Sequence, residues 1–298
     1  MGTGCLLMRS RPVRRSGHLN NGCTDGQLLD FSKSVRTISF YLLYVNYFMN
    51  NDLQGKTALV TGAASGIGKA VALLYGQHGA NVMVSDLDEV QGHQVVQQLK
   101  AAGANARFFK ADVGDPAQCQ QLVQETVRAF GSLDIACNNA GIVGEMSQTA
   151  DYSLEGWQQI INVNLNSVFF CLKYELAVMV KQGAGTIVNM ASILGQVGTP
   201  TLSGYVTAKH GMIGLTRTAA LEYASQGIRI NAVGPAYIDT PLLDVMSAEV
   251  KQQLVSLHPI GRLGRAEEVA ELVMWLSSDK ASFVTGSYYP VDGGYLAK

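Results

Sequence analysis

Short apolar runs alternate with longer amphipathic ones from Lys56 to the end of the chain. Thr57-Ala-Leu-Val-Thr61 predicts a short strand buried on both faces, because its apolar residues are consecutive rather than alternate. A glycine turn follows, then a helix through Ala70, Val71, Leu73 and Leu74. The pattern repeats as strand Asn81–Asp86, helix Glu89–Ala102, strand Asn105–Lys110, helix Pro116–Phe130 and strand Leu133–Cys137. A long helix is expected from near Leu154 and a strand over Gly185–Met190, and the spacing of Ala208, Met212, Leu215 and Ala219 predicts a further helix. Strands interleaved with helices of this length predict an α/β fold, doubly wound, with a parallel sheet covered by helices on both faces. Ligands in such sheets bind beyond the carboxyl ends of the strands, where Asp86, Asp112 and Asn138 through Gly141 fall.

Residues 1–48 break the pattern. An Arg-rich piece leads into an apolar run from Thr37 to Met49 that is interrupted by Asn46. A membrane span needs about 20 apolar residues, more than this run supplies. A secretory or organellar leader would explain the arginines, but no small-residue cleavage site stands out. The preferred reading is a disordered or adventitious extension over 1–48, with the domain occupying 49–298. The extension carries +4 and the remainder −5, an asymmetry hidden in the overall charge of −1.

That near-zero charge gives no reason to expect a nucleic-acid partner. The 298 residues allow one large domain or two small ones. Cys5, Cys23, Cys119, Cys137 and Cys171 are scattered and lack Cys-x-x-Cys spacing, which fits a reducing cytoplasm better than a disulfide framework. The five histidines are equally dispersed, so no catalytic metal is expected.

Two stretches carry candidate chemistry. Gly62-Ala-Ala-Ser-Gly66-Ile-Gly68 sits between strand and helix, the context a dinucleotide-binding turn requires. Its glycines let the backbone approach a pyrophosphate, which rests on the helix N-terminus. Asp86 ends the second strand 18 residues past Gly68, where a carboxylate hydrogen-bonds the adenosine ribose. A 2′-phosphate there would meet like charge, costing about 4 kcal/mol at about 4 Å and an effective dielectric of about 20. Ala63, Ala64, Ser65 and Leu87 offer no cation to offset this, so NAD is expected over NADP. The second stretch holds Tyr205 and Lys209, one helical turn apart on the same face. A fixed ammonium beside a phenol is expected to lower its pKa toward neutrality and make it a usable acid or base.

With these motifs the chain from Gln54 to Lys298 resembles the short-chain dehydrogenase/reductases. The matching residues are Thr61-Gly-x-x-x-Gly-x-Gly68, Asp112-Val113, Asn138-Asn-Ala-Gly141, Asn164, Ser192, Tyr205-x-x-x-Lys209, Asn231-Ala-Val with Pro235 and Thr240, and Val291-Asp-Gly-Gly294. The resemblance implies one Rossmann domain with a seven-stranded parallel sheet, a small-molecule substrate, and hydride transfer between a secondary alcohol and a ketone. It makes Tyr205 the general acid/base and Lys209 its pKa-lowering partner and ribose ligand. Ser192 holds the substrate oxygen, and Asn164 positions a relay water. Gly62, Ser65, Gly66, Ile67, Gly68, Asp86, Asp112, Val113, Asn139, Ala140, Gly141, Pro235, Ile238 and Thr240 join Tyr205 and Lys209 as cofactor-binding residues. It also implies that Gly261–Ser277 and the stretch from Phe283 to Tyr295 form the last helix and strand, and that the chain is a homotetramer.

One departure stands out. Gly234-Pro235-Ala236 replaces the family's usual Pro-Gly, and alanine lacks glycine's freedom at positive φ, so a reshaped turn is expected. The stretches expected to line the substrate pocket are Ile142 to Met146, Leu194 to Val197, and a lid over Tyr237–His258 with Leu242, Leu243, Val245 and Met246. They are mostly apolar, and Lys251 is the lid's sole Lys or Arg. A neutral secondary alcohol or ketone is therefore expected, with cyclic ones among the candidates. Two other functions stay open. An NADP-dependent 3-oxoacyl-thioester reductase is opposed by Asp86 and the missing cation beside Ser65. A catalytically inactive dinucleotide-binding scaffold is opposed by the presence of Asn164, Ser192, Tyr205 and Lys209.

Overall fold

Thr57–Thr61 forms β1, with every residue buried, as its run of apolar side chains predicts. The computed structural model describes residues 52–243 and 246–298, so the extension expected over 1–48 and the lid residue Val245 lie outside the described residues. After β1 come α1 (Gly66–Gln77), β2 (Asn81–Asp86), α2 (Glu89–Ala101), β3 (Ala106–Lys110), α3 (Pro116–Phe130) and β4 (Ile135–Asn138). The second half contains α4 (Leu154–Ile161), α5 (Ser167–Gln182), β5 (Gly185–Met190), α6 (Ser203–Tyr223), β6 (Ile228–Pro235), α7 (Ala248–Ser256), α8 (Ala266–Ser277) and β7 (Tyr288–Val291). Local chemistry sets several boundaries. Asp88 caps α2 by accepting from the Gln91 N–H at 3.0 Å. Asp115 caps α3 ahead of Pro116, and left-handed Gly131 ends it. The fourth strand starts two residues later than expected, because Asp134 turns its carboxylate onto the Thr57 N–H at 2.8 Å.

All neighbouring strands are parallel, in the order β3-β2-β1-β4-β5-β6-β7, which gives the expected seven-stranded Rossmann sheet. The chain winds outward from β1 to β3 and then returns to place β4 on the other side of β1. This reversal opens a crevice at the carboxyl ends of β1 and β4. Strand residues alternate between two cores. Val60, Val84, Val188 and Val233 pack with α1 and α8. Leu59, Met83, Ile187 and Ala232 pack with α3, α5 and α6. Fully buried Tyr75 ties α1 to α8 through a 2.7 Å hydrogen bond with Ser277.

The long helix expected from Leu154 is present but contains a π turn over Asn162–Asn166. Its 29 residues are apolar enough to pass a length test for a membrane span. Val168, Leu172, Leu176 and Met179 instead bury that apolar face against the sheet. The lid helix α7 differs from the others in having none of its residues buried.

Candidate active site

The glycine turn is held from three sides. Thr61, at the end of β1, accepts the N–H groups of Asn139 at 3.0 Å and Ala140 at 3.2 Å through its hydroxyl oxygen. The Asn139 amide returns the contact by donating to the carbonyls of Thr61 at 2.9 Å and Gly62 at 3.0 Å. Asp86 accepts the Ala64 N–H at 2.9 Å. Side chains at two of the glycines would not fit. A Cβ on Gly62 would lie 2.8 Å from Ala140 Cα, and one on Gly68 would lie 2.1 Å from the Gly62 carbonyl oxygen.

The N-cap residue Ser65 makes no side-chain capping bond, and the first turn of α1 has no acid. Its free N–H groups and partial positive charge therefore face the crevice, where an anionic group is stabilised. At the end of β3, Asp112 accepts the Gly114 N–H at 2.8 Å and shapes the next rim of the crevice.

The candidate reactive group lies across the crevice. Ser192 follows β5, and its side chain is close enough to Tyr205 to lower that phenol's pKa. The Tyr288 hydroxyl donates to the Ser192 carbonyl at 3.1 Å and anchors that segment. Lys209, only 4% exposed, donates to the Met190 carbonyl at 2.7 Å, with its ammonium 5.6 Å from the centre of the Tyr205 ring. Burial draws the Lys209 pKa down to about 8. Tyr205 departs from expectation in direction. Burial pushes the phenol above its usual range, the Ser192 side chain pulls it back in part, and the nearby Tyr237 phenol pushes it up again. The cost of desolvating a phenolate outweighs the help the sequence led one to expect from Lys209.

A single cavity of about 730 Å³ joins these groups, running from Asp86 and Leu87 past Ser65 and Gly66 to Ser192 and Tyr205. Ile67, Asp112, Val113, Asn139, Ala140, Gly141, Lys209, Pro235, Ile238 and Thr240 also line it, as does Gly62. Gly68 does not; it packs α1 against the turn. Asn164 is likewise absent from the wall. Its amide clasps the loop behind, accepting from Ile142 N–H at 2.8 Å and donating to the Ile142 carbonyl at 2.7 Å. An added Cβ on Gly141 would lie 3.1 Å from Asn164 Oδ1 and 3.8 Å from the Lys209 ammonium, so the three residues form one cluster. The open helix N-terminus, the carboxylate at the end of β2 and the glycine backbone together suit a dinucleotide.

Of the residues expected in the substrate pocket, Ile142, Val143, Met146, Leu194, Leu242, Leu243 and Met246 line the cavity, whereas Gly144, Glu145, Gln196 and Val197 do not. Ala236 is not at positive φ. Thr201, at φ 67°, is the sole non-glycine there among the described residues, so the substitution for glycine costs the turn nothing.

Sequence reasoning missed a buried polar network under the site. The Asn138 amide donates to Glu175 and to Asn189, each at 3.1 Å, and Asn189 donates to Thr216 at 2.9 Å. Glu175 is fully buried, and burial lifts its pKa to about 7. Glu175 Oε1 and Asn138 Oδ1 are both buried without a hydrogen-bond partner. A carboxylate between Leu172 and Leu176 on the apolar face of α5 was the available signal.

A family model described as enoyl-(acyl carrier protein) reductase matches residues 62–296. Over 251 residues the chain is 51% identical to cyclohexanol dehydrogenase of Acinetobacter sp. (strain SE19), covering 84% of this chain and 98% of that one. It is 43% identical to 2,5-dichloro-2,5-cyclohexadiene-1,4-diol dehydrogenase of Sphingobium indicum, with coverage of 83% and 99%. The crystal structure of levodione reductase superposes with a TM-score of 0.78 at 36% identity, covering 82% of this chain and 99% of that one. With the parallel sheet, the glycine turn and the Ser–Tyr–Lys cluster in place, the chain belongs to the short-chain dehydrogenase/reductase family, oxidoreductases that interconvert CH–OH groups and carbonyls with a nicotinamide dinucleotide.

Proposed function

We propose that this protein is an NAD-dependent dehydrogenase of neutral, cyclic secondary alcohols, with Tyr205 as its general acid/base. The observation that carries the reading is the meeting of Ser192, Tyr205 and Lys209 at one end of a cavity whose other end is Asp86. Lys209 is the sole Lys or Arg among the described residues of that wall. A 2′-phosphate beside Asp86, or a phosphorylated or thioester-linked substrate, would find no cation there to meet it. Relatives that act on cyclohexanol and a cyclohexadiene diol support a cyclic substrate.

The bound nicotinamide supplies the hydride acceptor or donor. Ser192 and Tyr205 hold the reacting oxygen by hydrogen bonds, and Tyr205 takes the hydroxyl proton in oxidation or returns it in reduction. Lys209 keeps its charge close to the ring and fixes the turn after β5 through the Met190 carbonyl. The clasp of Asn164 on Ile142 sets the loop that closes the cluster from behind. Gly62, Ser65, Gly66, Ile67 and the Asn139–Gly141 turn would hold the pyrophosphate and nicotinamide ribose, with Asp112 and Val113 beside the adenine. Pro235, Ile238 and Thr240 would close over the carboxamide side.

The free thiols Cys119, Cys137 and Cys171 support a reducing cytoplasm as its setting. Exposed Phe169 on α5 and Leu221 on α6 support assembly into a homotetramer through those helices. The extension over 1–48 is read as outside the catalytic domain.

NADH formation from cyclohexanol, followed by absorbance, tests the reading. Tyr205→Phe is expected to cut turnover by about 10²–10⁴-fold while NAD still binds. Near wild-type activity in that variant would refute the acid/base assignment.

A further inference from the structure

Tyr237 begins the lid, two residues beyond the end of β6, and lines the same cavity as Ser192 and Tyr205. Its ring is clamped. It packs edge-on against His258 with centroids 5.9 Å apart and against Tyr295 at 6.2 Å, while those two rings lie 5.8 Å from one another. A hydroxyl on a ring fixed from behind is a positioned group, unlike one at the end of a free side chain. Tyr237 shares that cavity wall with Ser192 and Tyr205, and its phenol contributes to raising the Tyr205 pKa. Burial, aided by the Tyr295 phenol, raises Tyr237 as well, so it remains a neutral donor at working pH.

The Tyr237 hydroxyl makes no hydrogen bond to another described residue. The same cavity wall carries the apolar side chains of Leu194, Leu202, Leu243 and Leu254. Gln159 and Thr199, further polar side chains of the wall, belong to an exposed and a partly exposed position. Ser192 and Tyr205 already account for the reacting oxygen. A third hydroxyl fixed in an apolar wall is therefore surplus for a substrate with one oxygen. A ring that filled the cleft and offered Tyr237 nothing would strip it of water without replacing the bond.

Building on the dehydrogenase reading above, we propose that Tyr237 binds a second, non-reacting oxygen of the substrate, so that the preferred substrates are cyclic diols and the hydroxyketones or diones they give on oxidation. The second oxygen gains and loses no proton. It accepts a hydrogen bond from Tyr237 while oxidation proceeds at the first carbon. Sites that hydrogen-bond a substrate hydroxyl discriminate against analogues lacking it more strongly than apolar walls discriminate by shape.

The test compares kcat/KM for cyclohexanol with that for the 1,2-, 1,3- and 1,4-cyclohexanediols, in the wild type and in Tyr237→Phe. The wild type is expected to favour at least one diol by about ten-fold or more, mainly through KM, and the variant to lose about ten-fold of that ratio. Calorimetric titration of cyclohexane-1,4-dione and cyclohexanone into the wild-type protein with oxidised NAD, which has no hydride to give them, is a readout that needs neither turnover nor a folded variant. Tighter binding of the dione is expected. Equal kcat/KM for cyclohexanol and every diol, or a ratio that survives Tyr237→Phe, would overturn the assignment of Tyr237 while leaving the dehydrogenase reading intact. Failure of the wild type to oxidise any of these alcohols would instead sink that reading, and this inference with it.

Discussion

Replacing Glu175 by Gln keeps the shape of a side chain that has no access to solvent and removes its ability to ionise. Glu175 accepts one hydrogen bond from the Asn138 amide, leaving its own Oε1 and the Asn138 Oδ1 enclosed and unpaired. Two acceptors cannot satisfy each other, but a protonated carboxyl can donate to the Asn138 oxygen, forming a neutral acid–amide pair. Burial supports that state by raising the pKa from the usual 4.5 to about 7. Between those two values the folded protein keeps a proton that the unfolded chain has released. Stability therefore falls as pH rises from 4.5 to about 7 and is level above that. At roughly 1.4 kcal/mol per pH unit, the whole fall is about 3 kcal/mol. Gln makes the same pair of hydrogen bonds without a proton. Glu175→Gln should thus match the wild type near the acid end and exceed it by up to about 3 kcal/mol at pH 8. Urea unfolding of both proteins across this range, read as the difference between them, isolates the effect from all other carboxylates. An infrared band from a protonated carboxyl at pH 6, present in the wild type and missing in the variant, reports it directly. Parallel stability curves, or no such band, would refute the neutral pair.

Three further outcomes follow from the site. Asp86→Ala should raise the preference for NADP relative to NAD by about ten-fold or more, read as the ratio of kcat/KM for the two cofactors, because a like-charge contact is removed. With Tyr205 above its usual range and Lys209 at about 8, ketone reduction should be fastest below pH 8 and decline above it, whereas alcohol oxidation should gain as the phenol ionises at alkaline pH. Initial rates in both directions at saturating cofactor check this, and a reduction rate that holds into strongly alkaline solution would contradict it. Light scattering should give four times the 31.9 kDa chain mass, and a monomeric mass would exclude assembly through α5 and α6.

Much of the fold was legible because burial on both faces leaves unbroken apolar strands such as Thr57–Thr61, and because the glycine turn has a fixed place between strand and helix. Asp86, Ser192, Tyr205 and Lys209 were legible for the same reason, each at a strand end or on a helix face that topology brings to the crevice. Other features depend on distance in space. Nothing in the order of residues tells that Asn164 turns inward through a π turn to hold Ile142, or that Gly68 meets the Gly62 carbonyl instead of the cavity. The direction of the Tyr205 shift was missed because charge is readable from sequence, while desolvation depends on everything packed around the hydroxyl. Alanine after Pro235 read as a strain and is none, since the backbone there never enters the left-handed region.

The lid helix α7 carries a kinetic consequence. Val250 and Leu254 look into the cavity, yet no residue of the helix is buried, so α7 has little of the protein's own interior to pack against. An apolar ring in the cleft is its missing interior, and each methylene covered adds about 0.8 kcal/mol to the grip. The same contact must be undone before the product leaves. Bulkier, greasier rings should therefore be captured more tightly and surrendered more slowly, until departure rather than hydride movement sets the pace of turnover.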